Sequence, residues 1–229
     1  MAKKRITRKE LVKKPDEFIT LSGTVIQWAR SNAKLLTYGA VAFFVIIVSV
    51  AGYRYYVENR ERAAAMLLSQ SMAAYEEAIR AQQDPAKALA MVQSDLEQLV
   101  DTFDGYDAGQ LGRLFYAHIS LSAAMPDQAI ALYTEAMGSV KGDEGLGNTI
   151  YNGLAMAYMQ KGERAAAIDY FEKVLEGPSA VLKDAALFQL GRLYGAEGDA
   201  QKSLSAYKRL NTDFPDSIYA NIAREKSAG

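Results

Sequence analysis

An uncharged, apolar run near the N-terminus constrains the fold of this chain more than any other feature. Residues 35–53 contain no charged side chain, and Lys34 and Arg54 flank the run. A helix of that length extends for roughly 28 Å, close to the ~30 Å thickness of the hydrocarbon core of a bilayer. The run therefore predicts one transmembrane helix over residues 34–55.

A buried core helix and a cleaved signal peptide are the two alternatives to a membrane span. A buried core helix normally carries a polar stripe, whereas this run is apolar on every face. A cleaved signal peptide remains an alternative, because the small residues at 49–51 form a cleavage motif. The hydrophilic segment of about 34 residues that precedes the run is, however, long for a signal peptide. Aromatic side chains that suit membrane interfaces flank the run and favour an intact anchor: Trp28, Tyr38, Tyr53, Tyr55 and Tyr56.

The charges on the two sides of the run predict the topology. Residues 1–34 hold nine basic and three acidic side chains, a net charge of +6. The remainder holds 26 − 9 = 17 basic and 27 − 3 = 24 acidic residues, a net charge of −7. Basic residues are retained in the cytoplasm, so the C-terminal domain is expected across the membrane. Beside a membrane span, the basic cluster is better explained by anionic headgroups than by nucleic acid, and no nucleic-acid partner is predicted.

The segment before the span, residues 1–33, is predicted to be a basic cytoplasmic tail. Within it, Phe18, Leu21, Val25 and Trp28 recur at helical spacing, which is typical of an interfacial helix. A disordered tail is the alternative, and Pro15 marks the expected start of order.

Composition predicts an all-α domain over residues 56–229. Residues that favour helix dominate, no segment alternates with a period of two, and the chain has no cysteine. The stability of this domain must therefore come from helix packing.

A repeat of 36 residues links the segments that start at Tyr151 and Leu187. Six offsets recur: Leu154 with Leu190, Ala155 with Gly191, Tyr158 with Tyr194, Gly162 with Gly198, Ala167 with Ser203, and Phe171 with Tyr207. A weaker copy occupies residues 116–136, and a degenerate helix pair precedes it around Asp84 and Pro85. The predicted repeats are about 60–104, 110–143, 148–181 and 184–217, and residues 216–226 are expected to form a closing helix.

These offsets resemble the tetratricopeptide repeat, a helix-turn-helix unit of about 34 residues. The resemblance implies an α-solenoid in which Ala155 and Gly191 allow close helix approach. Gly162 and Gly198 would form the tight turns within each unit, and Pro178 and Pro215 would stop the second helices.

In tetratricopeptide arrays, a concave groove is lined by outward residues of each first helix. The corresponding residues here are Leu114, His118, Leu121, Asn152, Met156, Met159, Phe188 and Arg192. The methionines and Phe188 suit a groove for varied apolar peptide segments or for a partner helix. The alternative is that the domain's own helices cover this face. The family's best-known pattern of lysines and asparagines, which grips a C-terminal carboxylate, is absent.

Catalytic chemistry is not indicated by the sequence. His118 is the only histidine and lies among apolar residues. The glycines at 142, 145 and 147 lack the strand and the lysine of a phosphate-binding loop. We therefore predict no catalytic residues, no metal, no cofactor and no small-molecule substrate.

The order of parts, a basic tail, one span and a tetratricopeptide-like domain, resembles the YfgM family of bacterial inner-membrane proteins. That resemblance implies a periplasmic domain that associates with the SecYEG translocon and with the membrane-bound chaperone PpiD to assist exported proteins. The alternatives are an assembly factor or structural subunit of a pilus, division or outer-membrane biogenesis complex, or a docking module in the cytoplasm.

A reporter enzyme that is active only in the periplasm tests the topology when it is fused after Gly229. We expect an active reporter, because the net +6 segment should hold the N-terminus in the cytoplasm. A matched fusion to a reporter that is active only in the cytoplasm should be silent. The opposite pair of results would reverse the predicted orientation.

Overall fold

The fold is described from a computed structural model that covers residues 17–139 and 144–228. Most of the basic tail, the expected boundary at Pro15 and the connection at residues 140–143 lie outside the described residues. Within these ranges every regular element is an α-helix. The all-α prediction is therefore confirmed.

The chain divides into two compact units, and the first ends at Glu58. It contains helix α1, Glu17–Ser31, and the beginning of α2, Ala33–Gln82. The apolar window of α2 has a mean hydropathy of 2.3 and buries none of its residues in the protein. This helix is therefore long and apolar enough to cross a membrane or to act as a signal sequence.

Helix α2 differs from the expectation in one respect. The sequence predicted a membrane helix over 34–55 and another helix from about residue 60, whereas one helix of 50 residues spans both. The physical reason is that residues 53–82 contain neither glycine nor proline.

The second unit begins at Asn59 and consists of helices that pack in chain order. After α2 these helices are α3, Pro85–Thr102; α4, Asp107–Ser122; α5, Pro126–Ser139; α6, Glu144–Lys161; α7, Arg164–Glu176; α8, Lys183–Ala196; α9, Ala200–Asp213; and α10, Ala220–Ala228. The pairs α4–α5, α6–α7 and α8–α9 form helical hairpins, each hairpin contacts the next, and α10 packs on α9. Three successive clusters of buried side chains form the core of this stack.

The turn inside each helix pair contains one residue in the left-handed region. These residues are Gln83, Ala124, Gly162 and Gly198, with φ of 51°, 58°, 80° and 85°. Only the two glycines adopt this conformation without a steric cost, which is roughly 1 to 2 kcal/mol for other residues. Glycines mark two of these turns in the sequence, and Pro85 and Pro126 mark the other two, but nothing in the sequence predicts a positive φ at Gln83 or Ala124.

The turns that follow α7 and α9 are held by polar side chains from the start of α6 and α8, respectively. Asn148 is buried, and its Nδ2 donates to the carbonyl oxygens of Ser179 at 3.1 Å and Val181 at 2.8 Å. Asp184, which lies 36 residues later, accepts from Ser217 Oγ at 2.6 Å. Each first helix therefore fixes the turn that closes its own hairpin.

Close helix approach depends on glycines that face large side chains. A Cβ added to Gly153 would lie 2.3 Å from Cζ of Tyr133, and one added to Gly191 would lie 2.6 Å from Cζ of Tyr207. Both tyrosines are nearly fully buried. The aromatic rings therefore lie where a side chain of the neighbouring helix would otherwise be.

Substitution of Gly153 by alanine tests this packing. Gly153→Ala should lower the free energy of unfolding by about 1 to 3 kcal/mol, because the buried Tyr133 ring must move. Gly147→Ala is a matched control on the same helix, since no atom lies within 4 Å of the added Cβ. The control should stabilise the helix by up to about 1 kcal/mol. Urea unfolding of the full chain in detergent, followed by circular dichroism, measures both changes, and equal midpoints would contradict the contact.

Candidate functional site: the first-helix face

The eight residues expected in the groove lie on α4, α6 and α8, the first helices of three consecutive hairpins. We call these eight residues the first-helix face: Leu114, His118, Leu121, Asn152, Met156, Met159, Phe188 and Arg192. His118 and Arg192 are exposed, and the other six are half-buried. The face is therefore accessible to solvent but is not free of packing contacts.

On α4, His118 is the most exposed residue of the face. Leu114 and Leu121 pack against the first core cluster, which limits the area that they expose. His118 is exposed between them. This part of the face is therefore a polar side chain between two half-buried leucines.

On α6, the face is built from flexible apolar side chains. Met156 and Met159 pack against the second core cluster and remain half-buried. Asn152, one turn before Met156, is also half-buried. The two thioether side chains therefore form a deformable apolar surface above the core.

On α8, the ring of Phe188 is partly covered by the closing segment. It stacks on Tyr219 with the ring centroids 4.6 Å apart, and it meets Tyr207 edge-on at 6.2 Å. The alternative that the domain's own helices cover this face therefore applies at Phe188.

A cleft of about 490 Å³ opens beside Phe188. We call it the α8–α10 cleft, and its lining comes from three helices: Phe188, Gly191, Arg192 and Gly195 of α8, Ser203 and Tyr207 of α9, and Ile222 and Lys226 of α10. The structure thus brings together two predicted residues, Phe188 and Arg192. Tyr207, a repeat position in the sequence, belongs to the core and also lines the cleft, whereas sequence reasoning did not identify Lys226 as a site residue. The spacing of Ile222 and Lys226, one helical turn apart, is the sequence signal for a shared face.

The electrostatics of the cleft favour an anion. Arg192 Nη1 donates to Gln189 Oε1 at 3.1 Å, and no carboxylate in the described part of the chain pairs with Arg192 or Lys226. Burial raises the pKa of Tyr207, while the nearby charge of Arg192 acts in the opposite direction. The phenol is therefore protonated at neutral pH and can donate a hydrogen bond.

The described residues offer no cluster of metal-binding side chains. No three His, Asp or Glu side chains within residues 17–139 and 144–228 come together as a possible metal site. His118 is the sole histidine of the chain and is exposed on α4.

Comparison with known proteins agrees with this architecture. The family model described as a tetratricopeptide repeat-like domain matches residues 27–209, a range that includes the apolar run. A crystal structure of MamA protein is similar with a TM-score of 0.51 and 18% identity, covering 71% of this chain and 83% of that chain. A second crystal structure of MamA has a TM-score of 0.49 and 17% identity, covering 66% of this chain and 86% of that one. No curated protein matches the chain. At 18% identity, the first similarity bears on the fold alone.

Cysteine labelling tests the exposure of the face, because the natural chain has no cysteine. His118→Cys should react with a maleimide at least about tenfold faster than Ala117→Cys, since Ala117 is fully buried and needs local opening. The two positions are neighbours on α4, so the local sequence is shared. Equal labelling rates in the folded full chain would show that the face is covered.

Proposed function

The chain belongs to the tetratricopeptide repeat-like domain family, and from that premise we propose that it is a membrane-tethered scaffold that binds polypeptides on its first-helix face. Domains of this kind generally bind proteins. The observation that carries the proposal is the accessible row of apolar and polar side chains on three consecutive first helices. The scaffold is non-enzymatic.

The tether is the apolar part of α2. Its side chains, such as Phe43 and Phe44, are 66% and 67% exposed, so most of their apolar surface has no partner in the described part of the chain. Lipid supplies such a partner, and the basic flank favours a cytoplasmic N-terminus. We place the chain in a bacterial inner membrane with its repeats in the periplasm. Tethering raises the effective concentration of the face toward other membrane-bound proteins.

The side chains of the first-helix face indicate which kind of protein the scaffold binds. Met156 and Met159 adapt their shape to different apolar surfaces, which suits exported polypeptides that have not yet folded. We therefore propose that the scaffold assists the Sec translocon and periplasmic chaperones in handling exported proteins. A fixed partner, as in an assembly factor of an envelope complex, is the second candidate, and the defined α8–α10 cleft favours it.

Photo-crosslinking from the face tests this function in living cells. A photoreactive residue at Met156 or at Arg192 should capture translocon components or several exported precursors. Lys208 is the matched control position, since it is exposed on α9, the second helix of the hairpin that contains Arg192. Crosslinking from Lys208 should capture far less protein. Recovery of one complex in fixed stoichiometry would favour the assembly factor. If Met156 and Arg192 captured no more protein than Lys208, the proposed scaffold function would be contradicted.

A further inference from the structure

We propose that the α8–α10 cleft binds a polypeptide segment in which an acidic side chain lies next to an aromatic or branched aliphatic side chain. This inference rests on the proposed function and assigns a ligand class to one end of the first-helix face. It is argued from the size, the apolar wall and the charges of the cleft.

The size of the cleft fits a short part of a peptide. Its volume of about 490 Å³ is within the range of roughly 300 to 1,000 Å³ that is typical of ligand pockets. At the base of the cleft, Gly191 packs against the ring of Tyr207, and Ser203 Oγ donates to the carbonyl oxygen of Gly191 at 2.7 Å. The volume that remains open is large enough for an apolar side chain with a neighbouring carboxylate.

One wall of the cleft is apolar and remains accessible. Ile222 is 46% exposed on α10, and Phe188 presents the part of its ring that Tyr219 does not cover. An inserted aromatic or branched side chain would remove both surfaces from water. That burial supplies affinity without sequence-specific hydrogen bonds.

The cleft also carries cationic donors that lack anionic partners. Arg192 and Lys226 pair with no carboxylate among the described residues. Tyr207 also lines the cleft, and its phenol is a further potential hydrogen-bond donor. A ligand carboxylate would accept charge-assisted hydrogen bonds from the two cationic side chains and offset part of their positive charge.

A peptide carboxylate fits better than a small free anion, because a small anion would leave the apolar surfaces of Phe188 and Ile222 unused. The ligand therefore needs a carboxylate and a large apolar side chain in one segment.

Binding of labelled peptides to the full chain in lipid nanodiscs tests the proposal. The probe is fluorescein-labelled Gly-Ser-Leu-Phe-Glu-Leu-Ser-Gly, amidated at its C-terminus, and its control carries Gln in place of Glu. The Glu peptide should bind at least about tenfold more tightly, because charge-assisted hydrogen bonds are lost with Gln. Equal affinities, or no binding of either peptide, would overturn the proposal.

Variants of the cleft locate the binding site. Arg192→Gln and Lys226→Gln should each weaken the Glu peptide about fivefold or more while leaving the Gln peptide nearly unchanged. Arg224→Gln removes the same charge from an exposed position on α10 outside the cleft and should have little effect. Tyr207→Phe should weaken binding without disturbing the ring packing. Equal effects of Lys226→Gln and Arg224→Gln would indicate unspecific attraction and refute the site.

Two further results keep this inference separate from the proposed function. Glutarate that displaced the probe as effectively as unlabelled Glu peptide would show a site for small anions and would overturn the peptide assignment. Crosslinking from Met156, which does not line the cleft, is independent of these measurements. A failure of peptide binding with intact capture from Met156 would therefore refute the cleft ligand alone.

Discussion

A buried aromatic ring packed against the bare backbone of another helix is the contact on which the helical stack depends. Tyr133 occupies the space where Gly153 has no side chain, and Tyr207 does the same at Gly191. The contact of Tyr133 with Gly153 joins consecutive hairpins, whereas the contact of Tyr207 with Gly191 joins the two helices of one hairpin. Because glycine lets the helices approach closely, an aromatic ring fills the core at each of these two contacts. On the first-helix face, His118 and Arg192 stay exposed and the other six residues are half-buried.

Polar ties at the ends of the hairpins complement this packing. The carboxylate of Glu61 accepts hydrogen bonds from the backbone N–H groups of Asp107 at 3.0 Å and Ala108 at 2.8 Å, which caps the start of α4. Asn148 and Asp184 hold later turns through their side chains. Such bonds satisfy the free groups at helix ends and fix the position of each hairpin against the next. The outward side chains therefore keep their alignment along the stack.

The sequence predicted what depends on local periodicity. The 36-residue repeat placed Gly162 and Gly198 in turns, and Pro178 and Pro215 lie just beyond helices that end at Glu176 and Asp213. Those features follow from the helical period and from the backbone limits of glycine and proline. The left-handed conformation of Ala124 was not predicted, because Pro126 marks that turn but alanine does not favour a positive φ. The α8–α10 cleft was missed for a different reason: no offset shows that Lys226 lines the same cleft as Arg192, since that arrangement depends on how the last helix packs.

The proposed function depends on the apolar segment of α2 remaining in the bilayer, because only a tether keeps the first-helix face beside membrane-bound partners. A cleaved signal peptide would instead release the repeats from the membrane. The direct measurement is the intact mass of the protein in membranes washed with alkaline carbonate. The tether predicts the chain in the membrane fraction at its full mass of 25.1 kDa. A soluble protein lacking about its first fifty residues would contradict it.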